Sequence, residues 1–339
     1  MIRDAIHTLA AGQHLSGERA YETMKQIMTG EATPAQIGAY ITALRIRGET
    51  AEIIQGSARA MRENFVAIEA PGGRVVDTCG TGGDGAHTFN VSTASAFVAA
   101  GAGITVAKHG NRSVSSLCGS ADVLTALGVN IGVDPSVMVR CLSEIGIAFL
   151  FAPSLHPAMK HAIGPRREIG IRTVFNILGP LSNPAGARHG VLGVYSADLV
   201  PLMAVAASTL DAKHMFIVHG NDGLDEITTT TTSVIAEVRD GHVKEYELDP
   251  QTLGLPRAKP EDLAGGEPEE NAEILRRVLK GEKGPARDIV LINAAAAIVA
   301  GGEADNLQDG IAAAADSIDS GKANEKLERL AAVTSAAAV

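Results

Sequence analysis

A cluster of glycines follows a short apolar segment near residue 80. Gly80, Gly82 and Gly83 lie between Asp77 and Asp84, after a segment with the composition of a buried strand. Glycines at a strand end let the backbone turn sharply and present amide N–H groups to an anion. The cluster predicts a phosphate-binding loop, with a plain tight turn as the alternative. It lacks the lysine of a P-loop, and its spacing also imitates a dinucleotide fingerprint.

Hydrogen-bonding side chains occupy the start of the helix pattern that comes next. Thr88, Asn90, Ser92 and Thr93 precede the apolar run Ala94 to Ala100. Backbone donors and the positive end of the helix dipole attract anions at such a position. Taken singly, Asn90 or Ser92 could be only a helix cap. Together with the glycines, these residues predict a pyrophosphate pocket.

A cationic segment, Lys108 to Ser116, follows a predicted strand. It contains Lys108, Arg112, His109 and several hydroxyl groups, which suit a sugar phosphate at the carboxyl edge of a parallel sheet. The alternative is a solvated loop in which His109 is only a structural hydrogen-bonding residue.

Two further groups could act on charged substrates. Asp225 and Glu226 are adjacent carboxylates, which are ligands of the kind Mg²⁺ takes, although adjacent acids often form only a solvated turn. His156 and Arg166 lie ten positions apart across a helical stretch and could face one cleft. The planar fork of Arg166 suits a carboxylate, and the alternative is a surface arginine.

The elements that must position these residues divide at Pro71. Apolar residues recur at helical spacing from Ile2 to Phe65, and Thr33 with Pro34 offers a helix start. Strand and helix patterns then alternate, which predicts a mostly parallel sheet with helices on its faces. The predicted strands are Arg74–Asp77, Gly103–Ala107, Val123–Leu127, Ile147–Phe151, Val191–Val194 and Met215–His219, with antiparallel strands at Val234–Val238 and His242–Leu248.

The expected fold class is therefore α/β, with a small N-terminal all-helical domain and a large α/β domain. The small domain is expected at residues 1–72, joined in space by about 165–187. The large domain is expected at 73–164 and 188–339, ending in the closely packed helices Asn293–Ala300 and Ile311–Ile318.

Composition narrows the class of protein. The chain has 339 residues, 45% of them hydrophobic, so it can bury a large core. Its net charge of −10 and its 3% aromatic content argue against a nucleic-acid partner. Three cysteines without a CxxC pair indicate neither a disulfide framework nor a zinc site, and a reducing cytoplasm is expected. The apolar runs are too short or too interrupted for a membrane span.

Seven motifs together resemble one enzyme family over nearly the whole chain. In order they are Gly80–Asp84, Asn90–Thr93, Lys108–Arg112, Gly119–Asp122, His156–Lys160, Gly170–Leu181 and Asp222–Glu226. The chain resembles the anthranilate phosphoribosyltransferases of tryptophan biosynthesis. The resemblance implies transfer of phosphoribose from phosphoribosyl pyrophosphate to the anthranilate amine, with Mg²⁺ as cofactor. It also implies a substrate cleft at the hinge between the two domains and a homodimer joined through the helical parts.

The resemblance also assigns residues, and it requires no catalytic side chain beyond positioning and charge stabilisation. Phosphoribosyl pyrophosphate is assigned to Gly80, Gly83, Asp84, Thr88, Asn90, Val91, Ser92, Thr93, Lys108, His109, Gly110, Asn111, Arg112, Ser113, Val114, Ser115, Ser116 and Ser120. Anthranilate is assigned to Gly80, Asn111, His156, Arg166 and Gly179, and Mg²⁺ to Ser92, Asp225 and Glu226. One departure stands at Leu117 and Cys118, where many members carry a basic residue and a small one.

Three alternatives remain at this point. A pyrimidine nucleoside phosphorylase shares the fold but does not call for the Lys108 to Arg112 segment. A nucleic-acid-binding relative would be basic on its dimer face, whereas this chain is acidic. A dinucleotide oxidoreductase would want an acidic residue about 20 positions beyond the glycines, where this chain has a lysine.

Overall fold

A seven-stranded sheet forms the centre of the molecule. The computed structural model describes residues 1–113 and 117–337. The strand order is β3-β2-β1-β4-β5-β6-β7; the first five of these strands are parallel, and β6 and β7 continue the sheet antiparallel. The strands are β1 (Val75–Thr78), β2 (Thr105–Gly110), β3 (Ile147–Phe151), β4 (His189–Gly193), β5 (His214–Gly220), β6 (Ser233–Arg239) and β7 (His242–Leu248). The expected mostly parallel sheet is confirmed.

Four helices precede the sheet, as the helical spacing predicts. They are α1 (Ile2–Ala10), α2 (Gly17–Met28), α3 (Pro34–Arg47) and α4 (Ala51–Arg62). Thr33 and Gln36 form a capping box at the start of α3: the Thr33 hydroxyl accepts the Gln36 amide at 3.3 Å, and Gln36 Oε1 accepts the Thr33 amide at 3.0 Å. The small N-terminal helical region is confirmed.

The remaining helices connect and cover the strands. They are α5 (Val91–Gly101), α6 (Ser120–Ala126), α7 (Pro135–Glu144), α8 (Ala152–Leu155), α9 (Lys160–Ile169), α10 (Phe175–Leu178), α11 (Leu199–Thr209), α12 (Pro268–Leu279), α13 (Pro285–Gly301), α14 (Leu307–Asp319) and α15 (Lys322–Ala336). Helix α5 packs against α13 and α15, and α9 packs against α3.

Two hydrophobic cores lie on opposite faces of the sheet. Phe216 and Val218 of β5 belong to the core formed with α5 and α13, whereas Met215 and Ile217 belong to the core shared with the N-terminal helices and α11. Successive side chains of a strand point to opposite faces, so a strand covered on both sides is apolar throughout. All seven residues of β5 are buried, and its central residues Met215–Val218 are all apolar, with a histidine on each side of them.

One predicted strand is wrong. The segment Val123–Leu127 lies in and just after helix α6, which starts at Ser120. Asp122 accepts the backbone amides of Gly119 and Ser113, both at 3.0 Å, and these bonds fix the first turn of the helix. Tertiary burial of Val123 and Leu124 outweighs the strand preference of a short β-branched run.

The bounds of strand β2 also differ from the prediction. Strand β2 starts later than expected, at Thr105, and includes Lys108, His109 and Gly110. The two charged or titratable side chains therefore lie within the sheet edge and are buried. In the described part of the chain, no helix combines the length and apolar character that crossing a bilayer requires.

Candidate active site

The glycine-rich loop leaves β1 where the sheet changes direction. Strand β1 pairs with β2 on one side and with β4 on the other, so the connections from β1 and β4 diverge at this edge. Ligands bind at the carboxyl ends of parallel strands at such a switch point. The topology alone predicts a binding site around residues 79–90.

Positive backbone angles and close approach explain the glycines of this loop. Gly82 and Gly83 have φ values of +64° and +74°, which non-glycine residues rarely adopt. Gly80 has ordinary angles, but a Cβ there would collide with Asp225 Oδ2. The Gly82 amide donates to the same Asp225 carboxylate at 2.7 Å. The loop therefore packs against Asp225, which is 143 positions from Gly82 in sequence.

Three carboxyl groups meet beside the loop. Burial and the nearby Asp84 carboxyl raise the pKa of Asp225 to about 7. Burial and Asp225 raise the pKa of Glu226 well above its usual range. Glu226 Oε1 accepts the Ser92 amide at 3.1 Å at the start of α5. Mutual repulsion contributes to both pKa shifts, and a divalent ion bound between the carboxylates would relieve it.

The oxygen chemistry of this cluster fits Mg²⁺. A small cavity next to it is lined in part by Thr78, Ser92 and Glu226. Carboxylates and a hydroxyl are hard ligands, and Mg²⁺ keeps several waters when few carboxylates bind it. The cluster could hold the ion with waters or substrate oxygens completing its shell.

Another trio lies closer together but is less suitable. Ligand atoms of Asp77, Cys79 and His109 lie within 4.8 Å of one another. Both Asp77 oxygens already accept hydrogen bonds, from the His109 amide at 3.0 Å and from Asn183 Nδ2 at 2.6 Å. Burial raises the pKa of the Cys79 thiol far above its usual range, so it stays protonated. We therefore favour the Asp225 cluster as the cation site.

Lys108 lies underneath the helix start. Its ammonium donates to the Thr78 carbonyl at 2.8 Å and lies 3.3 Å from the Ser92 hydroxyl oxygen. Only 3% of the residue is exposed, so the alternative of a solvated loop lysine is wrong. A buried cation here joins the end of β1 to the first turn of α5 and offsets part of the negative charge of Asp77 and Glu226.

The side chain of Asn90 does not cap its own helix. Its Nδ2 donates to the Cys118 carbonyl at 3.2 Å, and its Oδ1 accepts from Asn271 Nδ2 at 3.0 Å. The backbone amide of Ser92, in the first turn of α5, donates to the Glu226 carboxylate and not to a capping side chain. The hydroxyl of Thr93 is buried without a hydrogen-bond partner among the described residues. Both capping alternatives from the sequence are wrong.

Residues of helix α6 hold the cationic segment after Lys108. Arg112 forms an ion pair with Asp122 at 2.7 Å, and the Ser120 hydroxyl donates to the Asn111 carbonyl at 3.2 Å. The Ser113 amide donates to Asp122 as well. Val114, Ser115 and Ser116 lie outside the described residues.

Three other predicted phosphate ligands lie near the carboxyl ends of β1 and β2. Thr88 pairs with Ala264 in an isolated bridge, and Val91 is buried at the base of α5. Gly110 ends β2, where a Cβ would meet Ser120 Oγ. These residues follow the same edge of the sheet as the glycine-rich loop.

A chain of two histidines lies at the neighbouring strand end. His109 Nδ1 is 3.2 Å from the Gly179 carbonyl, and His109 Nε2 is 3.2 Å from His156 Nε2. Because a carbonyl only accepts, His109 Nδ1 carries the proton and its Nε2 accepts from His156 Nε2–H. Burial lowers the pKa of His109 to about 3 and that of His156 to about 4. Both rings are neutral, and His156 Nδ1 keeps a lone pair.

The Arg166 side chain lacks an anionic partner among the described residues. Its guanidinium forms no hydrogen bond or ion pair with any of them and lies 5.2 Å from the centre of the Phe175 ring. Burial lowers its pKa from the usual value. An arginine that is partly removed from water without a counter-charge is suited to an anionic ligand. Asn111, predicted for the same ligand, is exposed at the end of β2.

Several residues of the site had no role in the sequence prediction. Asn183, Arg172, Tyr195 and Asn271 all contact the segments described above. Arg172 falls inside a quoted motif, and Asn183 was visible as a helix break before Pro184. Neither signal states which distant segment the side chain contacts.

Comparison with known proteins agrees with this geometry. Residues 72–324 match the model of the glycosyl transferase family α/β domain, and residues 3–65 match that of the glycosyl transferase family helical bundle domain. Proteins named anthranilate phosphoribosyltransferase from Moorella thermoacetica and Anaeromyxobacter dehalogenans are each 55% identical; the matches cover 98% of this chain and 98% and 99% of those proteins.

Two solved structures carry the same name. The enzyme from Thermus thermophilus superposes with a TM-score of 0.93 at 44% identity, covering 98% of this chain and 99% of that one. The enzyme from Saccharomyces cerevisiae, in complex with PRPP and Mg, gives a TM-score of 0.91 at 31% identity, covering 99% and 98%. Because the first two relatives are 55% identical over nearly the whole chain and the solved structures superpose over nearly all of it, the chain belongs to the anthranilate phosphoribosyltransferase family.

Proposed function

We propose that this chain transfers the phosphoribosyl group of 5-phosphoribosyl 1-pyrophosphate to the amine of anthranilate, which is the second step of tryptophan biosynthesis from chorismate. The observation that carries the proposal is the meeting of four segments at one sheet edge. The glycine-rich loop, the start of α5, Lys108 and the pair Asp225 and Glu226 are joined by hydrogen bonds. A diphosphorylated sugar needs this combination of amides, a cation and metal-binding oxygens.

The phosphate groups are proposed to bind the residues assigned from the sequence on the glycine-rich loop, α5 and the Lys108 to Ser120 segment. The yeast relative has been solved with PRPP and Mg. Asp225, Glu226 and Ser92 would hold Mg²⁺, which would neutralise the leaving pyrophosphate when bound. Lys108 adds a fixed positive charge at the base of the pocket.

The acceptor is proposed to bind between Arg166 and the histidine pair. A related yeast structure contains 4-fluoroanthranilate. The Arg166 guanidinium, which has no anionic partner among the described residues, would bind the carboxylate, and Asn111, Gly80 and Gly179 would complete the pocket. His156 Nδ1 is an acceptor suited to an amine N–H, because its other nitrogen is donating to His109.

The reaction then needs alignment more than acid or base catalysis. The aromatic amine is neutral at pH 7, and its lone pair forms the bond to the sugar carbon as the bond to the pyrophosphate oxygen breaks. The leaving group carries away the electron pair, and the amine proton passes to water or a nearby acceptor. Positioning of two reactants and charge stabilisation supply the rate enhancement.

Three features of organisation belong to the proposal. The small domain is residues 1–72 with about 165–187, and the large one is 73–164 with 188–339. The enzyme is a homodimer that buries exposed apolar residues of the helical part, such as Ile46 on α3, which is 77% exposed, and Ile163 on α9. None of the three cysteines forms a disulfide within the described residues, which favours the reducing cytoplasm.

The test is a direct assay. Purified protein is incubated with phosphoribosyl pyrophosphate, Mg²⁺ and anthranilate, and the loss of anthranilate fluorescence is followed. We expect the anthranilate fluorescence to fall only when the protein, phosphoribosyl pyrophosphate and Mg²⁺ are all present. Folded protein that leaves anthranilate unchanged would refute the proposal, and uridine or thymidine with phosphate would then be tried as substrates. Sedimentation velocity of the same protein tests the dimer.

A further inference from the structure

The outer side of the glycine-rich loop is held by a residue from another part of the chain. Arg172 lies between α9 and α10, and its guanidinium donates to the Gly83 carbonyl. The loop is thus held from both sides, because the Gly82 amide donates inward to Asp225 at 2.7 Å. Arg172 belongs to a segment that follows α9, which packs on the N-terminal helices.

Tyr195 supports the arginine from below. The Arg172 guanidinium carbon lies 4.4 Å from the centre of the Tyr195 ring, which is a cation–π distance. The Tyr195 amide donates to the Thr81 hydroxyl at 3.1 Å, and the Thr81 amide donates to the Gly193 carbonyl at 2.8 Å. Arg172, Tyr195, Thr81 and Gly83 therefore form a connected set, the loop clasp, which joins the segment after α9, the residues after β4 and the glycine-rich loop.

A clasp matters here because the loop is costly to order. Gly82, Gly83 and Gly85 all have positive φ angles, and glycine loses more conformational freedom on ordering than any other residue. A loop that is ordered before the ligand arrives saves that entropy at binding. Arg172 is exposed, so it acts through contacts with the loop and not through burial in a core.

We propose that Arg172, stacked on Tyr195, is a positioning residue that holds the glycine-rich loop in the conformation that receives the pyrophosphate. This inference rests on the proposed function for the identity of the ligand. The guanidinium plane is essential to the clasp, because it stacks on the ring while one of its edges donates to the carbonyl. Lysine keeps the charge but cannot do both.

The test compares R172Q, R172K, Y195L and Y195F with the wild type. R167Q serves as a matched control, because Arg167 is an exposed arginine on α9 whose side chain forms no hydrogen bond or ion pair with any described residue. We expect R172Q and Y195L to raise the KM for phosphoribosyl pyrophosphate about tenfold, with kcat and the KM for anthranilate changed less than about twofold. R172K should be intermediate, Y195F should raise this KM less than Y195L because the ring is kept, and R167Q should match the wild type.

A second measurement reads the loop directly. Hydrogen exchange of a peptide spanning residues 80–88 is measured without substrate, and we expect faster exchange in R172Q and Y195L than in R167Q. The double variant R172Q/Y195L should be no worse than either single variant, because both break one clasp.

The inference is overturned if R172Q leaves both the exchange and the KM for phosphoribosyl pyrophosphate unchanged. It is also overturned if the loss falls on kcat or on the KM for anthranilate, because Arg172 would then contact the acceptor. Wild-type protein without transferase activity would refute the proposed function alone, since exchange without substrate still decides whether the clasp orders the loop.

Discussion

Acidification should destabilise this protein through its two buried histidines. His109 and His156 have pKa values lowered by burial to about 3 and about 4. In the unfolded chain a histidine titrates near 6.5. Because the folded values lie below the unfolded one, the stabilising contribution is present above pH 6.5 and is lost as the pH falls.

The size of the effect follows from the unfolded value. At pH 5.5 about nine-tenths of each histidine is protonated in the unfolded chain, while the folded pair stays neutral. Each histidine then costs about 1.4 kcal/mol relative to pH 7.5, and the pair about 3 kcal/mol. The exact depth of the folded pKa values matters little, because both lie more than a unit below 5.5. A loss of this size is a large fraction of a typical folding free energy.

The assay is urea unfolding at pH 7.5 and pH 5.5 for the wild type and for the double variant that combines His109→Asn with His156→Phe. The asparagine amide introduced by the first change can still donate to the Gly179 carbonyl, and the phenyl ring introduced by the second can pack against Phe65 as the imidazole does. Other groups titrate too: Asp77, whose pKa burial raises to about 6, shifts stability in the opposite direction. Comparing the two pH dependences removes such shared contributions.

We expect the wild type to lose about 3 kcal/mol more than the variant between the two pH values. Equal losses would refute the reasoning, because both rings would then take up protons in the folded protein as they do in the unfolded chain, and a difference of only about 1.4 kcal/mol would leave one of them charged. Long-range proton–nitrogen NMR of the histidines gives an independent check, since the proton is expected on His109 Nδ1 and on His156 Nε2.

Three further outcomes follow from the site. Asp225→Asn and Glu226→Gln should each raise the Mg²⁺ concentration that gives the half-maximal initial rate by about 10- to 100-fold. An unchanged titration would remove that residue from the metal site. Gly80→Ala should lower kcat/KM strongly while it changes the melting temperature little, because the added Cβ would meet the Asp225 carboxylate. A variant with wild-type kcat/KM would contradict this. Arg166→Lys should raise the KM for anthranilate about tenfold while leaving that for phosphoribosyl pyrophosphate unchanged, because lysine lacks the planar fork; equal rises in both KM values would argue against a carboxylate site.

Much of the fold could be predicted from the sequence where neighbouring residues decide the outcome. The N-terminal helices follow from apolar spacing and from the Thr33 capping box, and β3 and β7 begin and end at the predicted residues. The Val123–Leu127 prediction failed because a short β-branched run does not show what will pack on it. The contact of Asp122 with two backbone amides decided for the helix.

The candidate site divides in the same way. The glycine turn, the polar helix start and the adjacent acids were visible because each lies within a few residues. Their relation to one another was not visible, since Gly82 and Asp225 are 143 positions apart and His109 and His156 are 47 apart. The pKa shifts also depend on burial, which no local pattern gives.

The sequence by itself determined most of the element types, the chemistry available and, through resemblance, the family. The tertiary structure alone decided that Lys108 is buried under the helix start, that Asn90 bridges distant segments, that Arg166 has no counter-charge among the described residues, and that Arg172 reaches the glycine-rich loop. The physical reason is that turn and helix preferences arise from neighbouring residues, whereas desolvation and charge pairing arise from residues that only folding brings together.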